Sequence, residues 1–337
     1  MTGATTGGLI TIFGGSGFVG RYVARALCRQ SWRVRVAVRR PHLAGELRMA
    51  GEVGQVQIVQ ANVRNRPSIE RALDGADAAV NLVGILFEKG RQSFDGTQAL
   101  GAANVAELAA AAGIKRFVQM SAIGADAESK SQYARSKADA EAAVLEHLPS
   151  ATILRPSIVF GPEDEFFNRF AQMARYAPAL PLIGGGNTKF QPLFVDDLAD
   201  AVLAALTRDD AQGRIYELGG PNTYSFKELL SYILTEVDRP RFLAPLPFFA
   251  AKPLGVITSV AFKFYPFMDP PITGDQVELL KSDNIVGATD EDLGRIEDLG
   301  IGPLETVEAV VPDYLWRYRP YGEFHQSRED EVSRVDV

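Results

Sequence analysis

This sequence of 337 residues has few of the side chains that form disulfides or bind metals. It contains one cysteine, Cys28, which cannot form an internal disulfide, so we expect a reducing compartment. We interpret Cys28 as a small, buried, apolar residue of the first helix. The three histidines are dispersed along the chain, and we therefore predict no metal site.

The chain also lacks long apolar runs and an excess of positive charge. No uncharged apolar stretch reaches the roughly twenty residues that a membrane-spanning helix requires. The first predicted strand begins within ten residues of Met1, so we expect no signal or transit peptide. A formal net charge of −7 argues against general nucleic-acid binding, since that function requires a basic face. The hydrophobic content of 46% supports a large α/β core, alone or with a smaller lobe.

A glycine-rich segment near the start carries the strongest functional signal. The apolar run 9–13 predicts a buried strand, and a helical pattern at 21–27 directly follows the spacing Gly14-x-x-Gly17-x-x-Gly20. Such glycines let the backbone approach phosphate oxygens, and the helix N-terminus presents unpaired N–H groups. We predict a dinucleotide pyrophosphate site here, and a tight turn without a ligand is the alternative. The candidate contacts are Gly14, Gly15, Ser16, Gly17, Phe18 and Val19.

Strands and helices alternate through the first half of the chain. This order predicts an α/β fold of the Rossmann type, a doubly wound parallel sheet with a small C-terminal α+β lobe. The predicted strands after the first are 33–38, 56–59, 78–84, 116–121 and 152–156, and the long helices are 97–112 and 132–147. We expect a nucleotide-binding domain at 1–162 with its sheet completed by about 190–220, a mixed lobe at 163–322, and a polar tail at 323–337.

Segment 240–268 differs from the rest of this acidic protein. It contains three cations, Arg241, Lys252 and Lys263, and no acidic residue, and it is rich in Phe, Leu, Val and Pro. Pro253 is expected to open a helix that runs through 264. One interpretation is a core helix of the lobe with two solvated lysines. The other is a surface that lies on a membrane interface or an apolar partner.

Residues that follow the second and third strands are candidates for the adenosine half of the ligand. The second strand ends in Arg39-Arg40, about where an acidic residue would select a free 2′-hydroxyl. Two guanidiniums instead favour a 2′-phosphate and therefore NADP(H), unless they are an ordinary surface pair. We expect Asn62 and Val63 to touch the adenine. Val83 and Gly84 follow the fourth strand, where the chain passes the cofactor.

Tyr133 and Lys137 fall at the start of the helix after the fifth strand. Four residues apart, they share one helix face. A nearby ammonium would favour the tyrosinate, so Tyr133 could exchange a proton with a carbonyl or alcohol while Lys137 holds the nicotinamide ribose. The alternative is an ordinary exposed helix pair, with Lys137 bound to Glu141 one turn later.

Several short motifs occur in a fixed order along residues 9–221. They are Gly14-x-x-Gly17-x-x-Gly20, Asn81, Ser121, Tyr133-x-x-x-Lys137, Arg155-Pro156-x-x-x-Phe160-Gly161-Pro162 and Val195-Asp196-Asp197-Leu198-Ala199. Together they resemble the extended short-chain dehydrogenases/reductases. This resemblance implies that Tyr133, Lys137 and the fifth-strand Ser121 form the catalytic set. It also implies that these three residues bind the cofactor together with Pro156 and Ile158.

Three phrases point more narrowly within that family. The stretches 80–86, 117–125 and Lys281-Ser282-Asp283-Asn284 resemble an atypical branch that includes an accessory subunit of respiratory complex I. The branch implies tightly held NADPH with little or no turnover and complex I subunits near the membrane-arm junction as partners. It also implies a peripheral place at a membrane surface, which we expect to be the cytoplasmic face of a bacterial inner membrane. Active members usually have Ser or Thr directly after the position of Ser121, whereas this chain has Ala122.

Two other functions stay open at this point. Tyr133 and Lys137 are compatible with a working NADPH-dependent reductase or epimerase, with quinone metabolism as one conceivable setting. The chain could also bind NADP(H) as a redox sensor that regulates a partner, provided the partner distinguishes the two redox states. Whether the protein is an enzyme is therefore undecided by the sequence.

Overall fold

Fourteen strands and eleven helices are assigned in the computed structural model, which describes residues 7–90, 92–263, 272–287 and 293–322. The strands are β1 (Leu9–Phe13), β2 (Arg33–Val38), β3 (Val56–Gln60), β4 (Ala78–Asn81), β5 (Arg116–Met120), β6 (Thr152–Pro156), β7 (Val159–Phe160), β8 (Ala179–Ile183), β9 (Lys189–Phe190), β10 (Leu193–Phe194), β11 (Ile215–Leu218), β12 (Tyr224–Ser225), β13 (Phe242–Leu246) and β14 (Gly294–Arg295). The helices are α1 (Phe18–Arg29), α2 (Arg66–Leu73), α3 (Leu100–Ala111), α4 (Gln132–His147), α5 (Phe167–Tyr176), α6 (Val195–Thr207), α7 (Phe226–Glu236), α8 (Phe248–Lys263), α9 (Gly274–Leu279), α10 (Val307–Val310) and α11 (Pro312–Leu315).

Eight parallel strands form the central sheet. Their order across the sheet is β14-β11-β6-β5-β4-β1-β2-β3, and every neighbouring pair is parallel. The chain direction across the sheet therefore reverses between β1 and β4, which is the place where such folds bind ligands. This topology confirms the predicted doubly wound fold.

Helices cover both faces of the sheet because alternate residues of each strand point to opposite sides. In β1, Ile10 and Ile12 belong to one apolar core together with residues of α1 and α6. Phe13 belongs to the other core, which includes residues of α2, α3 and α4. These two cores hold β1 and β4 rigidly in the middle of the sheet, so the loops that follow them have a fixed base.

A third apolar core supports the C-terminal part of the chain. It joins α5 and α7 to α10 and α11, with the aromatic side chains of Phe160 and Phe167 fully buried. Three two-stranded sheets, β7–β10, β9–β12 and β8–β13, surround it. A small fourth core of Ile183, Ala251 and Val277 lies under α8 and α9. The predicted domain boundaries stay predictions.

Two predicted helix starts are wrong. Helix α8 begins at Phe248, so Pro253 lies inside it and does not open it. The N–H groups of Ala250 and Ala251 donate to the carbonyl of Pro247, and the helix therefore nucleates before Pro253. Ahead of α3, residues 95–99 form a π-helical turn, and α3 itself starts at Leu100.

Some expectations concern chain outside the described residues. The tail 323–337 and the end of the basic apolar segment, 264–268, belong to this group. Within the described ranges, no helix combines the length and apolar character needed to cross a membrane.

Candidate functional site

The glycine-rich turn between β1 and α1 is held in shape by its own backbone. Gly14 has φ +79°, a conformation that suits glycine, and its N–H donates to the carbonyl of Ala37 at 3.2 Å. The N–H of Gly17 returns to the carbonyl of Gly14 at 3.1 Å. A Cβ on Gly20 would lie 2.5 Å from the Cα of Gly15, so this close approach requires glycine. These contacts fix the backbone conformation of the turn.

The N-terminus of α1 fits a pyrophosphate. Gly17 is its N-cap and, within the described part of the chain, no side chain caps it and no acidic residue lies in its first turn. The N–H groups of Phe18 and Val19 therefore have no intrahelical acceptor, and the helix dipole adds partial positive charge. A Cβ on Gly17 would meet only the carbonyl oxygen of Gly14, at 3.4 Å, so the outer side of the turn is open. Exposed Ser16 lies on the same turn.

Arginines gather at the carboxyl end of β2. Arg39 and Arg40 are both exposed there, and Arg39 Nη1 donates to Gln92 Oε1 at 2.7 Å. Burial, followed by the charges of Arg40 and Arg64, lowers the pKa of Arg39. Arg39, Arg40 and Arg64 are thus close enough to repel one another, and together they create a local positive potential that suits a phosphate. Sequence reasoning missed Arg64, although it directly follows the Asn62-Val63 pair.

The residues after β3 and β4 lie beside this end of the sheet. Asn62 Oδ1 accepts the N–H of Arg64 at 3.1 Å, and Val63 is buried. Val83 lies against the glycine turn, since a Cβ on Gly14 would be 3.1 Å from its backbone nitrogen. Val83 thus lies at the glycine turn, and Asn62 and Val63 lie just past the carboxyl end of β3.

Tyr133 and Lys137 lie on the first turns of α4, and both contact the segment that follows β4. Lys137 is buried, its Nζ is 5.7 Å from the centre of the Tyr133 ring, and it donates to the carbonyl of Met120 at 3.3 Å. The Tyr133 ring also packs edge-on against Phe94 at 6.0 Å between ring centres. A Cβ on Gly84 would lie 3.5 Å from Lys137 Nζ, which joins this pair to the loop after β4.

The protonation of this pair differs from the sequence expectation. Burial, and secondarily the charge of Asp275, raises the pKa of Tyr133 to about 12. Burial lowers the pKa of Lys137 to about 8, against the opposing charge of Glu141. Desolvation sets the direction of both shifts, and Lys137 is not among the causes that shift the pKa of Tyr133. The catalytic role of the pair stays a prediction.

Ser121 belongs to a buried polar cluster. Its hydroxyl donates to Glu141, and Arg155 holds the same carboxylate through Nε at 2.9 Å and Nη2 at 2.6 Å. Glu141 thus binds Arg155 and not Lys137, which was the alternative partner from sequence. The hydroxyl of Ser121 is thus bound to the Glu141–Arg155 ion pair. The cluster therefore links α4 to the end of β5 and to β6.

A residue from the C-terminal part caps α4. Asp275 accepts hydrogen bonds from Ser131 Oγ at 2.8 Å and from the backbone N–H groups of Gln132 at 2.7 Å and Tyr133 at 3.1 Å. It lies in α9, more than 140 residues later in the chain. No local sequence pattern could have indicated this contact.

Asn284 joins three loops at the end of β6. Its Oδ1 accepts from Ser157 Oγ at 2.7 Å and from the N–H of Ile158 at 3.2 Å, and its Nδ2 donates to the carbonyl of Ile123 at 3.4 Å. Ile158 and buried Pro156 therefore lie on a braced loop beside Ser121. The Lys281-Ser282-Asp283-Asn284 phrase was the sequence signal for this brace.

The arrangement has the parts of a dinucleotide site. The glycine turn offers backbone donors, the β2 end offers guanidiniums, and α4 offers a half-buried tyrosine and a buried lysine at the other end. Among the described residues, no group of three or more His, Cys, Asp and Glu could hold a metal ion.

Comparisons with known proteins agree with this geometry. The family model described as NAD dependent epimerase/dehydratase family matches residues 10–219. The chain is 35% identical to an Arabidopsis thaliana protein named NADH dehydrogenase [ubiquinone] 1 alpha subcomplex subunit 9, mitochondrial, with 95% of this chain and 80% of that protein covered. The Mus musculus protein of the same name is 32% identical, covering 94% and 82%.

Solved structures share the fold. A UDP-glucuronic acid 4-epimerase from Bacillus cereus, in complex with UDP-glucuronic acid and NAD, superposes with a TM-score of 0.66. The alignment covers 91% of this chain and 98% of the epimerase at 18% identity. At that identity, the likeness shows the fold alone.

Proposed function

Because the chain belongs to the NAD-dependent epimerase/dehydratase family, a group of the extended short-chain dehydrogenases/reductases, we propose that it binds NADP(H) at the carboxyl edge of its sheet. We further propose that it holds this cofactor with little or no turnover, as an accessory or assembly subunit of NADH:quinone oxidoreductase. Its partners are then complex I subunits near the membrane-arm junction. Its place is peripheral, on the cytoplasmic face of a bacterial inner membrane.

The observation that carries the proposal is a contrast between two parts of the site. The N-terminus of α1 is open to a phosphate, whereas the hydroxyls of Tyr133 and Ser121 are not poised to accept a proton. The turn at Gly14 to Val19 leaves helix N–H groups for a pyrophosphate. The pKa of Tyr133 lies at about 12, and the hydroxyl of Ser121 is engaged by Glu141. Ala122 adds no hydroxyl at the neighbouring position. We infer a site that binds a dinucleotide and in which neither hydroxyl is poised to act as a base.

The preference for NADP(H) rests on the arginines at the end of β2. When the cofactor is bound, Arg39 and Arg40 would hold the 2′-phosphate, and Lys137 with Tyr133 would hold the nicotinamide ribose. The nicotinamide supplies hydride chemistry in members of the family that turn over. In this chain the surrounding residues bind and orient it.

Cofactor binding is tested by calorimetry on nucleotide-stripped protein. Arg39→Ala should weaken NADPH binding by about tenfold and leave NADH binding unchanged, because it removes a charge-assisted contact to the 2′-phosphate. Arg33→Ala, at the opposite end of the same strand, is the matched control and should change neither. Equal loss for both nucleotides would contradict the NADP(H) assignment.

The role is tested in membranes. The protein should co-migrate with the respiratory complex on native gels after mild detergent extraction, and it should release NADPH on denaturation. Recovery as a free protein, with full NADH:quinone activity in membranes that lack it, would contradict the subunit role. Oxidation of bound NADPH by a carbonyl or quinone-like substrate, lost in Tyr133→Phe, would favour an active reductase. A partner that binds the two redox states unequally would favour a sensor.

A further inference from the structure

One carboxylate from the far end of the chain supports the helix that carries Tyr133 and Lys137. Both oxygens of Asp275 are used: Oδ1 accepts the N–H of Gln132 at 2.7 Å, and Oδ2 accepts Ser131 Oγ at 2.8 Å and the N–H of Tyr133 at 3.1 Å. These three bonds hold the start of α4, and one of them holds the backbone of Tyr133 itself.

Helix α4 needs such a partner. Its N-cap, Ser131, accepts the N–H of Ala134 at 3.2 Å, which leaves other first-turn N–H groups without intrahelical acceptors. In the described part of the chain, the first turn of α4 contains no acidic residue of its own. Asp275 therefore supplies the negative charge that complements the positive end of the helix dipole.

Asp275 belongs to a unit formed by α8 and α9. The two helices approach so closely that a Cβ on Gly255 would lie 2.8 Å from the backbone nitrogen of Gly274. Thr258 Oγ1 donates to the carbonyl of Ile272 at 2.5 Å. The unit has its own small core, which includes Ala251, separate from the cores under the sheet. A displacement of this unit would carry Asp275 away from α4.

We propose that Asp275 is a positioning residue, which sets the first turn of α4 and thereby aligns Tyr133 and Lys137 with the nicotinamide half of a bound dinucleotide. The inference rests on the proposed binding of NADP(H) and adds the α8–α9 unit to the determinants of that site. In the described part of the chain, the hydrogen bonds of Asp275 reach α4 and no other predicted cofactor element, so its influence should be confined to one half of the ligand.

The test compares a whole dinucleotide with its adenosine half. NADPH reaches α4, whereas adenosine 2′,5′-bisphosphate occupies only the glycine turn and the β2 arginines. In the full-length protein, Asp275→Ala should weaken NADPH binding by roughly tenfold. Binding of adenosine 2′,5′-bisphosphate should stay within about twofold of wild type. The fluorescence of bound NADPH should shift toward that of the free nucleotide, and Asp275→Glu should recover part of the affinity.

Glu278→Gln is the matched control. Glu278 lies in the same helix α9, but it binds Lys252 and Lys281 at 2.9 Å and does not contact α4 in the described contacts. It should leave both affinities unchanged. Asp275→Asn keeps the volume of the side chain and one oxygen acceptor but removes the charge, and it replaces Asp275→Ala if that variant does not fold.

The outcomes separate this inference from the function on which it rests. If wild type binds both probes and the Asp275 variants bind NADPH equally well, the positioning role is wrong. The role is also wrong if the variants lose both probes in parallel, since a general loss of structure then explains the result. If wild type binds neither probe, the proposed nucleotide function fails.

Discussion

The two ends of the candidate site are built in different ways. The phosphate end is made of backbone: a glycine turn closed by hydrogen bonds between residues no more than 23 positions apart, followed by an open helix N-terminus. The nicotinamide end is made of side chains, and its supports come from α9 and from the Ser157–Asn284 contact, more than 120 positions away. Ligand binding at the first end therefore depends on local sequence, whereas order at the second depends on the whole fold.

The electrostatic character of the two ends also differs. The phosphate end is positive and exposed, with Arg39 and Arg40 at the end of β2. The nicotinamide end contains buried charges that neutralise one another, chiefly Glu141 and Arg155. An exposed positive end attracts a ligand, and a buried, paired end holds a shape. Under the proposed function, this difference separates cofactor binding at the positive end from the groups that would transfer a proton at the paired end.

The largest effect is expected from breaking the buried ion pair. Glu141→Gln keeps the volume but leaves the guanidinium of Arg155 with incomplete compensation in a buried site. We expect a loss of about 3 kcal/mol in the free energy of unfolding, measured by urea denaturation. Adenosine 2′,5′-bisphosphate should still bind to the folded fraction, because the phosphate end does not depend on this pair.

A second Arg–Glu pair provides the control. Arg66 and Glu107 form the same two-bond arrangement, at 2.6 and 2.7 Å, but both side chains are over 40% exposed. Glu107→Gln should produce no measurable change in unfolding, because solvent screens exposed pairs. Equal losses for the two substitutions would contradict the distinction between a buried, shape-holding pair and a surface pair.

The next largest effect concerns the phosphate end. Gly17→Ala adds a methyl group that the protein itself can accept, since Gly17 has φ −75° and its Cβ would meet only Gly14 O at 3.4 Å. The methyl group should nevertheless keep phosphate oxygens from the helix N–H groups, so NADPH affinity should fall on the order of 100-fold in calorimetry.

Gly45→Ala controls for the substitution itself, because a Cβ there would meet nothing within 4 Å. Its affinity and thermal stability should match wild type. Retention of wild-type affinity in Gly17→Ala would show that the glycine turn does not hold the phosphates, and the contrast between the two ends would lose its basis.

The two ends of the site also differ in how well they could be predicted from the sequence. The strands of the first half and the glycine turn were predicted from local patterns, because strand periodicity and helix termini are encoded by neighbouring residues. The strand β14, which completes the sheet, was not predicted. The Tyr133–Lys137 pair was found by spacing, but its pKa values were not, since burial of a side chain depends on elements distant in sequence. The Asp275 cap had no local signal at all. The helix start at Phe248 was missed because Pro253 was interpreted as an N-terminal residue.

The smallest effect tests the desolvation of Lys137 directly. Its pKa is lowered to about 8 in the folded protein from an ordinary 10.5, so the unfolded chain binds the extra proton between these values. Stability of the nucleotide-free protein should therefore rise as pH increases from about 8 to 10.5, and the cost of the buried charge is fully present below pH 8.

Lys137→Met should remove that cost and raise the free energy of unfolding by about 2 kcal/mol at pH 7. The advantage should vanish by pH 10.5, the ordinary value, whereas exposed Lys115→Met should show no such trend. A constant difference between Lys137→Met and wild type across this range would mean that the ammonium is hydrated, and the nicotinamide end would then be as open to solvent as the phosphate end.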